Sequence, residues 1–123
     1  MRAILLIDHG SRRAESNAQL GRIARMVADQ AGAGTIVVPA HMEQAAPDVA
    51  AGFAECVARG ATEVIAVPYL LAQGRHATED IPRLVTEAAA AHPGVTFRVA
   101  EALGVHPGLA AIVLERASLR IEV

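Results

Sequence analysis

Residues 3 to 17, AILLIDHGSRRAESN, hold an apolar run that stops abruptly at Asp8, His9, Gly10 and Ser11 before a helical pattern begins. Ile4 to Ile7 are four successive apolar residues, two of them β-branched, the signature of a strand buried on both faces of a parallel sheet. The polar cluster then sits at the strand's carboxyl end, the edge at which open parallel α/β sheets bind ligands. Gly10 permits a sharp turn there, and Ser11 is suited to cap the helix that follows. His9 is thereby presented at the top of a rigid strand.

Outward from this stretch, strand and helix alternate four times. Ala14 to Ala31 carries Leu20, Ile23, Ala24 and Val27 at helical spacing and stops at Gly32 and Gly34. Thr35 to Ala40 is a second β-branched run, ending in the cluster His41, Met42, Glu43, Gln44. Pro47 opens a helix with an inner face of Val49, Phe53, Cys56 and Val57, closed by Gly60. Glu63 to Leu71 reads as the third strand, followed by the polar, glycine-containing segment Ala72-Gln73-Gly74-Arg75-His76. A third helix starts near Asp80-Ile81-Pro82 and ends at His92-Pro93-Gly94, with Ile81, Leu84, Val85 and Ala88 on one face. Val95 to Ala100 is the fourth strand, and Leu103-Gly104-Val105-His106-Pro107 leads into a last helix with Leu109, Ile112, Val113 and Arg116.

The resulting pattern, βαβαβαβα, gives with right-handed crossovers a parallel sheet with helices on both faces. The expected fold is a flavodoxin-like α/β three-layer sandwich with a four-stranded parallel sheet in the order 2-1-3-4, formed as one domain over residues 1–123. That order places the first strand beside the third and makes their ends a topological switch point, where a crevice opens. His9 and the segment Gly74-Arg75-His76 flank it. Adjacent strands lie about 4.8 Å apart, so the two imidazoles can converge on one metal ion, and Glu43 can reach the same crevice from the second strand.

Composition narrows the function classes. Hydrophobic residues make up 53% of the chain and aromatics 2%, so the core is aliphatic and base stacking on aromatic platforms is nearly excluded. A net charge of −2 without a Lys/Arg block argues against nucleic acid as a partner. The single Cys56 cannot form an internal disulfide, which makes a reducing, cytoplasmic compartment the expectation. No apolar run approaches the roughly 20 residues that span a bilayer, and Met1-Arg2 runs into a strand without a cleavage-site pattern, so neither membrane nor export signal is expected. No G-x-G-x-x-G follows the first strand, and no nucleotide cofactor is expected.

Several motifs together carry a family resemblance. They are His9-Gly10-Ser11-Arg12 after an N-terminal strand, Pro47 after a glutamate, Gly60-Ala61 before the third strand and Pro68 within it, Gly74-x-His76 followed by Asp80-Ile81-Pro82, and Leu103-Gly104-x-His106-Pro107. In order and spacing, over nearly the whole chain, they resemble the sirohydrochlorin chelatase family of the CbiX/SirB type. The resemblance implies ATP-independent insertion of a divalent metal, Co²⁺, Fe²⁺ or Ni²⁺, into sirohydrochlorin or a related tetrapyrrole, with the metal as substrate. It carries the family's metal-handling histidines onto His9 and His76. Similarity to the family's short form implies a homodimer. One departure is Asp8, where relatives often have a small residue.

The residue chemistry is compatible with that activity. Neutral imidazole ligates first-row divalent metals and accepts protons at neutral pH, so it can both deliver a metal and take up pyrrole protons. Two histidines with at most one carboxylate, Glu43, leave coordination positions open, unlike a closed structural zinc site. Ser11, Gly74 and the guanidinium groups of Arg12, Arg13 and Arg75 line the expected substrate side, the arginines as bidentate partners for ring carboxylates. His41 and His106 also stand at strand ends as alternatives, His92 reads as a helix C-cap, and Cys56 as core. Two rival functions remain: a module that binds metal or tetrapyrrole without turnover, and a histidine phosphatase, for which Asp8 before the histidine is unfavourable because it would repel phosphate.

Overall fold

The β-branched apolar runs form the strands of a single parallel sheet. The computed structural model describes residues 1–119, with β1 (Arg2–Asp8), α1 (Ala14–Ala31), β2 (Thr35–His41), α2 (Val49–Ala58), β3 (Glu63–Pro68), α3 (Ile81–Ala89), β4 (Thr96–Val99) and α4 (Pro107–Arg116). The strand order is β2-β1-β3-β4, all pairs parallel, as expected. β1 lies in the middle, its residues paired from Arg2↔Thr35 to Asp8↔His41 on one side and from Arg2↔Glu63 to Ile7↔Pro68 on the other. Pro39 is tolerated because β2 is an edge strand, where a missing amide N–H leaves no ladder bond unmade.

Side-chain alternation divides the core into two unequal parts. Ala3, Leu5, Ile7, Val38, Val64 and Ala66 face α2 and α3, packing on Phe53, Cys56, Ile81 and Val85. Leu6 and Val37 point to the opposite side, where Leu20 and Ala24 of α1 cover them. Gly52 lets α2 lie close to the sheet: a Cβ there would come within 2.8 Å of the Ala40 methyl and 2.9 Å of Leu5.

Element ends differ from the sequence reading where side-chain hydrogen bonds decide them. The cap of α1 is Arg13 rather than Ser11. The Ser11 hydroxyl accepts from the Arg13 amide, and the Asn17 amide group reaches back to accept from the Ser11 N–H and donate to the Ser11 carbonyl. Pro47 does not open α2: the helix starts at Val49, with the Asp48 carboxylate accepting from the Ala51 amide. β3 ends at Pro68 rather than Leu71, and Tyr69 makes a last backbone bond to the Ile7 carbonyl as the chain leaves the sheet. Ahead of α3 the chain makes one π-helical turn, His76–Asp80, which periodicity did not announce. His92 stacks on Phe53, ring centroids 5.6 Å apart, in addition to following the helix end.

Cys56 is fully buried, as the inner-face reading requires. Desolvation, reinforced by the neighbouring Glu55 carboxylate, pushes its thiol up from 9.0 to about 11. The folded chain therefore keeps this proton over a range in which the unfolded chain releases it, so stability falls as pH rises from about 9 towards about 11. Iodoacetamide at pH 8.5 is expected to leave the native thiol unmodified and to label it fully in denaturant; mass spectrometry measures both.

Candidate metal centre

The switch point brings together the two histidines that lie 67 positions apart in the chain. His9 follows β1 directly. Its backbone is held by an extension of the β1–β2 ladder beyond the strands: Met42 N–H donates to the Asp8 carbonyl at 3.0 Å and Glu43 N–H to the His9 carbonyl at 3.3 Å. The chain can pass this point only at a glycine. Gly10 adopts φ +92°, and a Cβ there would sit 1.8 Å from the Glu43 carbonyl oxygen. His76 arrives from the other side, on the first residue of the π turn after β3.

His9 Nε2 and His76 Nε2 are 3.3 Å apart, their rings edge to face at 85°. A tetrahedral ion with bonds of about 2.0–2.1 Å to two imidazoles holds their nitrogens about 3.3 Å apart, so the spacing is that of a bidentate pair. The His76 ring is oriented by Asp80, whose carboxylate accepts from Nδ1–H at 2.8 Å. An ionised carboxylate can only accept, which puts the proton on Nδ1 and leaves the Nε2 lone pair facing His9. The Glu43 carboxylate is 3.7 Å from His9 Nε2. Among the described residues no group of three His, Cys, Asp or Glu side chains forms a complete metal-holding set. Both rings are about half exposed, with side-chain exposures of 44% and 49%.

Asp80 joins the candidate site through this bond, and its signal in the sequence is the spacing of four from His76. Asp80→Asn is expected to weaken Co²⁺ binding about 10-fold or more by loosening the ring and its proton, with little change in melting temperature. Isothermal titration of both proteins with Co²⁺ measures it.

The other histidines are occupied elsewhere. His41 is buried, and its Nδ1 donates to Asp8 at 2.6 Å while its backbone N–H bonds the Pro47 carbonyl. This corrects its candidacy as a site residue and accounts for Asp8: the carboxylate is tied to His41 and forms a strut beneath His9. His106 is the N-cap of α4, its Nδ1 accepting from the Gly108 amide at 2.8 Å.

Beside His9 a cavity of about 290 Å³ is lined by Asp8, Gly10, Ser11, Asn17, Tyr69 and Leu70, among others. Ser11 belongs to it. Arg12 and Arg13 stand exposed on the same loop. Arg75 precedes His76 but pairs with Glu79 at 3.3 Å, and Gly74 turns the chain into the π turn by accepting from Ala77, Thr78 and the Thr78 hydroxyl. Two large apolar side chains lie exposed at this edge of the sheet, Leu71 after β3 and Val105 before α4. Their loops are joined where Leu103 N–H donates to the Leu70 carbonyl.

The sequence and the fold are similar to those of known proteins. The chain is 45% identical over 78 residues to the chloroplastic sirohydrochlorin ferrochelatase of Arabidopsis thaliana, covering 63% of this chain and 34% of that protein. The sirohydrochlorin chelatase SirB from Bacillus subtilis subspecies spizizenii, solved in complex with cobalt, superposes with a TM-score of 0.82 at 27% identity, over 95% of this chain and 50% of that one. A CbiX protein of cobalamin biosynthesis from Marinobacter aquaeolei VT8 gives a TM-score of 0.77 at 28% identity, over 96% and 95% of the two chains. The chain spans between 34% and 59% of the length of the curated relatives it matches. The model of the CbiX family matches residues 3–119, nearly the whole sequence. With that match, the 2-1-3-4 sheet and the paired imidazoles at its switch point, the chain belongs to the CbiX family of sirohydrochlorin chelatases.

Proposed function

We propose that this chain catalyses ATP-independent insertion of a divalent metal, Co²⁺, Fe²⁺ or Ni²⁺, into sirohydrochlorin or a close relative. One contact carries the proposal: two imidazole nitrogens 3.3 Å apart at the open edge of the sheet. The reaction exchanges M²⁺ for the two pyrrole N–H protons of the ring. His76, with its proton fixed on Nδ1 by Asp80, presents a lone pair to the metal. His9 presents the second from its neutral tautomer with the proton on Nδ1, which leaves the Nε2 lone pair free. As the metal leaves for the ring, the same two nitrogens are freed to accept the pyrrole protons and pass them to solvent. Two ligands hold an ion more weakly than a closed set of four, which suits delivery rather than storage.

The surroundings suit a flat, anionic macrocycle. Exposed Leu71 and Val105 offer apolar surface to a ring face, and Arg12 and Arg13 offer guanidinium groups to its carboxylates. Arg75 serves only when a ring carboxylate displaces Glu79. Replacing Arg12 or Arg13 with alanine is expected to weaken tetrapyrrole binding up to about fivefold each, the range of exposed ion pairs, with a smaller effect at Arg75. The differences shrink at high salt, and absorbance titration follows them; unchanged affinity in all three variants would reduce these arginines to solvated surface.

One open crevice covers little of a broad disc, so we infer that two chains act together as a C₂ homodimer. We propose that the reaction needs neither nucleotide nor nucleic acid and takes place in a reducing cytoplasm, where the lone Cys56 stays a thiol; no described helix is long and apolar enough to cross a membrane. Anaerobic incubation of the purified protein with sirohydrochlorin and each metal tests the activity through the change in ring absorbance. Many turnovers per chain are expected with at least one metal. Metallation that stops at one equivalent per chain would reduce the protein to a binding module, and no change with any metal would overturn the enzymatic assignment.

A further inference from the structure

His41 is the one polar side chain buried among the described residues, with 4% of its surface exposed. Stability does not account for it, because replacing a buried ionic pair by apolar residues of similar volume is often neutral or stabilising. Its place in the sheet shows what it holds. Asp8 and His41 are register partners at the carboxyl ends of β1 and β2, so their side chains lie on the same face, and His41 Nδ1–H donates to Asp8 Oδ1 at 2.6 Å. The Asp8 backbone is fixed separately, its carbonyl accepting from the Met42 N–H. The imidazole therefore restrains the direction of the carboxylate.

That direction matters because of what lies next to it. Asp8 precedes His9 in the chain and lines the same cavity of about 290 Å³. Its side chain is 21% exposed, and His41 is its only side-chain partner among the described residues. Released from His41, it would be an acidic side chain beside a metal ion held by His9 and His76. Those two nitrogens, 3.3 Å apart, and Glu43, 3.7 Å from His9 Nε2, can already supply three donors. A fourth would complete the closed set by which structural sites retain a metal. Delivery to a ring requires that position to stay open.

We propose that His41 is a positioning residue that withholds the Asp8 carboxylate from the metal, so that the ion is held loosely enough to be passed on. The inference rests on the chelatase reading above and adds to it a residue that touches neither metal nor ring. It also accounts for a departure from the family pattern: an aspartate before the metal-handling histidine is compatible with delivery when a second imidazole ties it down. The ionised carboxylate can only accept, so His41 stays in the tautomer with its proton on Nδ1.

Calorimetric titration with Co²⁺ of the parent, His41→Phe and the Asp8→Ala/His41→Phe double variant tests the proposal, with the rate of metal insertion measured alongside. His41→Phe is expected to bind Co²⁺ at least about 10-fold more tightly, the worth of one modest charge-assisted contact, and to insert it more slowly. In the double variant, with the carboxylate gone as well, both values are expected to return to those of the parent. A merely structural role has the opposite sign: weaker binding in His41→Phe without recovery in the double variant overturns the proposal, and so does unchanged affinity. Turnover by the parent is a separate result. If the parent binds Co²⁺ but metallates no ring, the enzymatic reading falls while the three affinities still decide the role of His41. One measurement needs no variant to fold: in isotope-labelled parent saturated with Zn²⁺, the nuclear magnetic resonance of the His41 Nδ1–H bonded to Asp8 is expected to persist. Its loss on metal binding would show the carboxylate moving to the ion and overturn the proposal.

Discussion

Substituting alanine for His9 or His76 is expected to lower the rate of metal insertion by at least about 100-fold in each single variant, the lower range for loss of a positioned proton-transfer group. Each imidazole supplies one of two nitrogens separated by 3.3 Å, and neither a metal nor a proton pair is handled by the survivor alone. The double variant is expected to lose little more, because residues that act as a unit are not additive. Stability is expected to change by no more than about 0.5 kcal/mol, as at surface positions: both side chains are nearly half exposed and neither belongs to the core. Single-turnover absorbance kinetics and thermal melts of the same preparations separate the two effects. A double variant that folds normally and metallates sirohydrochlorin at the parent rate would remove the site from this edge of the sheet.

Gly10→Ala is expected to damage the fold as well as the site. The methyl group would meet the Glu43 carbonyl oxygen at 1.8 Å, and the atom it meets is backbone tied into the sheet by the Glu43–His9 hydrogen bond. The residue also sits at φ +92°, where a side chain costs about 1–3 kcal/mol by itself. A loss of about 3 kcal/mol or more follows, together with a shift of His9 away from His76 and a fall in Co²⁺ affinity. Urea denaturation measures the first and metal titration the second. Gly32→Ala is the control, since it shares the φ of +92° but meets nothing within 4 Å; it is expected to lose only the conformational part. Equal losses in the two variants would show that the Glu43 contact carries no weight.

Most of the fold is legible in the sequence because each layer repeats one local rule. Buried parallel strands need β-branched apolar runs, and the crossovers between them have one hand, so the order of runs leaves few topologies. The pairing of His9 with His76 follows from that topology alone. What escapes is set by side chains that meet across the chain or over a local turn. The Asp8–His41 bond needs the β1–β2 register, and without it His41 looks like an alternative site residue and Asp8 like a bare departure from the family pattern. The grip of Asn17 on Ser11 replaces the expected serine cap with a contact six residues away. The π turn that swings His76 onto Asp80 has no periodic signature, since it adds a residue to one turn only. The apolar spacing of α4 predicts a helix correctly, but no residue of that helix is buried.

Tyr69 leaves β3 with its backbone bonded to Ile7 and lines the cavity beside His9. It is the only tyrosine in a chain without tryptophan. Excited near 280 nm, the protein therefore has one emitter, and that emitter stands within the crevice where a macrocycle would lie. A conjugated ring bound there would take up its emission by energy transfer, and the loss of light would report occupancy of this single place without any label. Phe53, the aromatic residue of the core, does not absorb at that wavelength, so the signal has a dark background.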